Sequence, residues 1–385
     1  MAANYAVVLH GPYDVRIVSL IGVFVAEVLV KMDCVGICGS DVKLYTTGAC
    51  GMEAVTEPIV IGHEGAGVVV KVSSFVIYVT YEYCKLGRYN LCVAPHYCST
   101  TGAPGNLCRY YKHVADFCRK MPDNLSMEEG AAVQPLAIAM HACNRAGIRL
   151  GQRVLILGAG PIGILCAMTA RAMGASTILI TDVVQSRLDT ARELGADYTM
   201  LVKRDYSDQE VVDGIVAQLG CQPDVTIDAC AYASAQRVAM LVTKTAGVVL
   251  VVGIGDSKVD VPLTQALLRE VDVRGSYRIV NTYPPAIAAV SSGAINLKKF
   301  ITHHFPLQRS KEALDLAKSG NAMKIIIHVQ KLLTFTYTLP NNPKNPGEDD
   351  GTSLTPIDRY GPQLPKAVRK KGWRLPYSAD LQQNI

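Results

Sequence analysis

Charge is scarce in this chain of 385 residues: Asp, Glu, Lys and Arg supply 18% against 49% hydrophobic residues, with a net charge of +5. The small positive excess concentrates only in KAVRKKGWR (366–374), which argues against a nucleic-acid-binding protein. Low charge beside so much apolar material excludes wholesale disorder and suits about two domains. The N-terminus, MAANYAVVLHGPYDVR, lacks a basic segment followed by an apolar one, so no secretory leader is expected. Nor is there a long uninterrupted apolar run: VLILGAGPIGILCAM (154–168) is broken by turn glycines, which excludes a membrane span. The 12 cysteines follow no framework spacing, so free thiols in a cytoplasmic protein are expected rather than disulfides. No internal repeat is visible.

What is present changes character near residue 150. The first third is β-rich, with YAVVLH, VAEVLVKMDCVGIC and EGAGVVVKV at strand length between Gly and Pro. Beyond it, the apolar segments RVLILGAG, STILITD, VTIDAC and GVVLVVGIG alternate with the helical patterns ILCAMTARAMGA and QSRLDTARELGA. Wholly apolar strands separated by amphipathic helices predict an α/β fold, with a doubly wound parallel sheet covered on both faces. The α/β rhythm fades after RGSYRIVNTYPPAIAAVSSGAI, and residues 330–385 read as an irregular, proline-rich tail.

Gly158-Ala159-Gly160-Pro161-Ile162-Gly163 fits G-x-G-x-x-G, placed between a predicted strand and a predicted helix. Gly158 permits the tight turn, Gly160 lets a pyrophosphate approach the backbone, and Gly163 allows close helix–strand packing. Asp182, 19 residues beyond Gly163, suits adenosine ribose hydroxyls and favours NAD over NADP. Arg187, which could instead meet a 2′-phosphate, leaves that choice open on residue chemistry alone. So does the alternative of a tight β–α turn that binds no nucleotide.

Two short pieces, GICGSD (36–41) and GHEGAG (62–67), offer a thiolate, an imidazole and a carboxylate in Cys38, His63 and Glu64. Three protein ligands with an open fourth position characterise catalytic rather than structural zinc. Taken alone, a buried cysteine and a loop histidine would explain the same residues. The run GICGSD…GHEGAG…GRYNLC…GNLCRYYKH…KMPDNLSMEEGA followed by GAGPIG resembles the zinc-containing medium-chain dehydrogenase/reductase family, most closely its polyol-oxidising branch. The resemblance extends from about residue 5 to 328. It implies a GroES-like catalytic domain (1–136, completed by 276–329), a Rossmann NAD-binding domain (137–275) and a homotetramer acting on a small polyol or secondary alcohol. It also implies one catalytic zinc at Cys38, His63 and Glu64, with Ser40 passing a proton. Cofactor positions carried over are Ile162, Asp182, Arg187, Val252, Gly253, Ile254, Ser276, Tyr277 and Arg278; Arg187 accompanies the aspartate in NAD-dependent members.

Several positions depart from that branch. Gln134 stands where a glutamate contacts the metal-bound water and the substrate, so a base and a charged acceptor are lost while hydrogen bonding is kept. Leu44 and Ile279 replace substrate-side tyrosines, leaving Arg278 as the retained polar group. The structural-zinc lobe keeps Cys84 and Cys92 but has Tyr78 and Tyr81 in its first two slots, so no structural zinc is expected. Cys98 and Cys108 are read as buried or free thiols. The segment 70–87 is short by about one barrel strand, and LIGVFV replaces a proline-rich loop. The expected activity is zinc-assisted hydride transfer between a polyol and NAD. Two alternatives remain open: a non-catalytic nucleotide-binding relative, and an enzyme for a less polar secondary alcohol.

Overall fold

The computed structural model describes residues 4–20, 28–50, 53–72, 82–92, 97–100 and 103–330, all within one unit, Met1–Thr334. The expectations for Tyr78, Tyr81, the LIGVFV loop and the tail beyond Gln330 lie outside the described residues.

The apolar segments of the second half form one parallel sheet of six strands. In space they run Tyr198–Leu201, Thr177–Asp182, Arg153–Leu157, Val225–Asp228, Val248–Val251 and Asp272–Gly275. The first chain-order strand, Arg153–Leu157, sits between the two winding directions, so the order reverses beside it. That reversal opens a crevice at the carboxyl ends of the strands. Helices Pro161–Ala172 and Gln185–Glu193 make two of the crossovers, as the sequence predicts. Leu155, Ile156, Ile180, Ile227 and Leu250 are each 0% exposed, which is why those strands carry no alternation of polar residues.

The first half is built on long-range antiparallel pairing. Val28–Gly36 pairs with Glu64–Val72, with Tyr110–His113 and with Ile325–His328, the last of which runs parallel to His303–Pro306. A second sheet joins Asp14–Leu20, Asn4–Gly11 and Ile59–Val60. The three strand segments read from the sequence in this region are all present, but their partners come from distant parts of the chain.

A helix of 20 residues, Met127–Ala146, connects the two halves. Ser126 accepts from the Glu129 amide and Glu129 returns a bond to the Ser126 amide, while Gly147 ends the helix at φ 72°. Its face packs on strand Glu64–Val72 and on helix Pro161–Ala172, with Ala132, Leu136, Ala139 and Cys143 in the core. Among the described residues no helix is long and apolar enough to cross a membrane.

Candidate active site

The pairing of Gly36 with Glu64 closes the distance between the two ligand-bearing pieces. Cys38 occupies the turn out of Val28–Gly36, immediately before helix Gly39–Thr47, and His63 and Glu64 stand at the start of the partner strand. Their sulfur, nitrogen and oxygen atoms all lie within 4.8 Å of one another. Gly36 has to be glycine here, because a Cβ would stand 2.1 Å from Glu64 Oε2.

Two residues of this cluster escape a motif reading. Asp41 is buried, its Oδ2 accepts from the Cys38 amide at 3.0 Å and its Oδ1 from the Gly62 amide at 3.1 Å. The same carboxylate faces His63 Nδ1 at 3.5 Å, leaving Nε2 turned towards Ser40 Oγ at 3.4 Å. Burial opposes ionisation of Asp41, but His63 and the two amides outweigh it and hold the carboxyl below its usual range. Burial would likewise lower the His63 pKa, yet Asp41 and Cys38 raise it well above the ordinary imidazole value. A site that attracts a proton so strongly suits a cation, which displaces that proton on binding. The sequence signal for Asp41 is its place three residues after Cys38, where an acid closes a helix N-terminus.

Lys324 is the other. Its Nζ donates to Glu64 Oε1 and Oε2 at 2.9 and 2.7 Å and to the Ile37 carbonyl at 3.0 Å. Both side chains are out of solvent, at 2% and 0% exposure. Its sequence signal is a single cation leading the apolar run KIIIHV, since lysine is almost never buried without a partner.

Gln134 lies in the linking helix, four residues beyond Gly130, which packs on Met121 and Ala66. Its Oε1 is buried and has no hydrogen-bond partner within the protein. Ser276 Oγ and Asp228 Oδ2, at the carboxyl end of the parallel sheet, are in the same condition. Buried polar atoms are paired as a rule, so these point to partners supplied by bound molecules or water.

On the nucleotide side, Gly158 has φ 102° and Gly163 approaches so closely that a Cβ would stand 1.9 Å from the Gly158 carbonyl oxygen. Gly160 precedes helix Pro161–Ala172 and has nothing within 4 Å of where its Cβ would point, which leaves room for a phosphate at the helix N-terminus. Asp182 ends its strand, accepting from the Ala159 amide at 2.7 Å and the Val184 amide at 2.9 Å. Arg187 reaches the Gly320 carbonyl at 3.5 Å. The Gly253 amide is held by Asp228 O, Ser276 by Val251 O, and Ile162 and Val252 pack against the main core. Ile254 and Tyr277 are exposed.

The positions expected on the substrate side are dispersed in character. The Arg278 guanidinium lies 3.5 Å from the Tyr97 ring centroid and 5.1 Å from that of Tyr277. Ile279 packs, partly buried, against the core of the second half. Leu44 is 6% exposed and fills core volume beside Tyr45, Leu9 and Ile61. In the cysteine lobe, burial and then Cys92 hold the Cys84 thiol above its usual range. Cys98 pairs with Tyr111 Oη at 2.9 Å and Cys108 donates to the Tyr110 carbonyl. None of the 12 cysteines is in a disulfide.

Comparison with known proteins agrees with this geometry. Residues 25–123 match the alcohol dehydrogenase GroES-like domain and residues 161–292 match the zinc-binding dehydrogenase domain. The chain is 68% identical over 347 residues to a sorbitol dehydrogenase of Bombyx mori, covering 86% of this chain and 100% of that protein. It is 41% identical over 341 residues to the sorbitol dehydrogenase of Bos taurus, covering 84% and 96%. The crystal structure of L-idonate 5-dehydrogenase from Escherichia coli superposes with a TM-score of 0.78 at 26% identity, covering 85% of this chain and 99% of the other.

Proposed function

Because the chain belongs to the zinc-binding dehydrogenases with a GroES-like domain, and within them to the sorbitol dehydrogenases, we propose that it interconverts a polyol of the sorbitol or L-iditol type with its ketose, using NAD. The observation that carries this reading is the convergence of Cys38, His63 and Glu64 from two separate segments onto one point. Thiolate, imidazole and carboxylate form a donor set suited to one zinc ion with an open position. A zinc held there would supply the polarisation of the substrate oxygen, and a bound nicotinamide would accept the hydride.

The chain's own residues do the rest. Asp41 fixes the His63 ring so that Nε2 faces the site. The Ser40 hydroxyl, beside that nitrogen, relays the proton leaving the substrate alcohol by accepting it while giving up its own to solvent water. Gln134 presents its unpaired Oε1 to a substrate hydroxyl, and Arg278 supplies a second polar contact. Glycines 158, 160 and 163 cradle the pyrophosphate, and Asp182 accepts from the ribose hydroxyls with lone pairs its amide donors leave free. Arg187, Ile162 and Val252–Ile254 border the dinucleotide, and Ser276 and Tyr277 its nicotinamide end. We divide the chain at 136/137 and 275/276, and assign it one catalytic zinc, no structural zinc in the cysteine lobe, a tetrameric state and a cytoplasmic location.

The test is NAD reduction by the zinc-loaded full chain with sorbitol, xylitol and simple secondary alcohols, before and after Gln134→Glu. Polyol turnover is expected, and restoring the carboxylate is expected to raise it by about 10²–10⁴-fold, the usual worth of a positioned acid–base group. Turnover of simple alcohols alone replaces the polyol with a less polar substrate. Bound zinc and NAD without any turnover leave a nucleotide-binding protein.

A further inference from the structure

A second set of metal-type ligands stands at the far end of the strand that leads from Lys324. His328 closes Ile325–His328, four residues from Lys324, or about 13 Å along an extended chain. His304, on the parallel neighbour His303–Pro306, places Nδ1 3.2 Å from His328 Nε2. Glu128, in the first turn of the linking helix, places Oε1 3.2 Å from His328 Nε2 and 3.5 Å from His304 Nδ1. These three atoms therefore form a nearly equilateral triangle.

Protons do not satisfy that triangle. An ionised Glu128 only accepts, so each histidine has to turn an N–H towards it, and the edge between the two nitrogens then joins two donors. Moving one proton to the nitrogen–nitrogen edge instead leaves an acceptor facing the carboxylate. A cation in the centre satisfies all three edges at once. Zinc bonds of about 2.0–2.1 Å in tetrahedral geometry separate neighbouring ligand atoms by about 3.3–3.4 Å, which matches the triangle.

The surroundings have the form of a ligand's outer support. His328 Nδ1 lies 3.5 Å from Cys34 Sγ, and that thiol donates to Asp33 Oδ1 at 3.1 Å. An Nδ1–H directed at that sulfur would leave the Nε2 lone pair facing Glu128 and His304. The three ligands come from three elements that backbone pairing and helix capping already hold in place. His304 and Glu128 side chains are 44% and 36% exposed, so an ion can enter and a water can complete its shell.

We propose that Glu128, His304 and His328 form a second zinc site, separate from the one at Cys38, His63 and Glu64. Equilibrium dialysis of the full chain against micromolar free zinc tests it. Two equivalents are expected for the wild type, one for His304→Ala and one for Glu128→Gln, each with an unchanged circular dichroism spectrum. Cys38→Ser, which removes the other site, is expected to retain one equivalent, and cobalt in that variant should show no thiolate charge-transfer absorption. If His304→Ala and Glu128→Gln bind as much zinc as the wild type, the site does not exist and the triangle is a hydrogen-bonded cluster. Loss of metal only in Cys38→Ser upholds the catalytic site while overturning this one.

Discussion

The two halves of the molecule solve the burial problem differently. In the parallel sheet the central strand residues are fully enclosed, with Leu155, Ile180 and Leu250 at 0% exposure. In the antiparallel half, Val68, Val69, Val70 and Val72 of one strand are 46–71% exposed. The nucleotide half makes its glycine turn, Gly158–Gly163, from backbone geometry within a few consecutive residues. The metal half makes its site from side chains that meet only through distant pairing. Substitutions should therefore act by different routes: through steric fit in one half and through unpaired charge in the other.

The sharpest separation comes from Lys324→Met. It strands the Glu64 carboxylate without its cation, and loss of one partner of a buried pair costs about 3–5 kcal/mol. Denaturant unfolding should show that loss, and a change near zero would mean that Glu64 is held by something other than Lys324. Next in size, Gly163→Ala drives a Cβ into the Gly158 carbonyl and should cost about 1–3 kcal/mol, with NAD affinity weakened and zinc content intact. Weakened zinc binding in that variant would break the claimed independence of the two halves. Asp41→Asn keeps the shape but removes the charge facing His63, and should lower zinc affinity about 10–100-fold with little effect on NAD.

The smallest effect concerns His141 in the linking helix, whose pKa burial lowers, helped by Arg145 and Arg88. The unfolded histidine titrates near about 6.5 and so binds protons more readily than the folded one. Its contribution to stability is full above that pH and is lost as pH falls below it. Relative to the wild type, His141→Gln should therefore gain in unfolding midpoint as pH falls from roughly 7 to 5.

Legibility in the sequence follows the same division. Strands 153–157, 177–182, 225–228 and 248–251 announce themselves as short apolar runs because both their faces are covered. Tyr198–Leu201 and Asp272–Gly275, at the two sheet edges, carry polar residues and leave no such signal. Cys38, His63 and Glu64 are visible as ligand types, but their meeting depends on the Gly36–Glu64 register, which no local pattern specifies. Lys324 and Asp41 act through other residues rather than as motif members. Leu44 shows the reverse: aligned with a substrate position, it lies within the core, where only packing reveals its surroundings.

The pairing of Lys324 with Glu64 also fixes an order of events during synthesis. The two residues are 260 positions apart, so at about 5–20 residues per second the carboxylate waits roughly 15–50 seconds for its partner. The parallel sheet between them is contiguous in the chain and can form meanwhile, whereas long-range pairing carries the larger closure cost. The metal half is therefore finished last, and by a strand that the ribosome delivers only after the nucleotide half is complete.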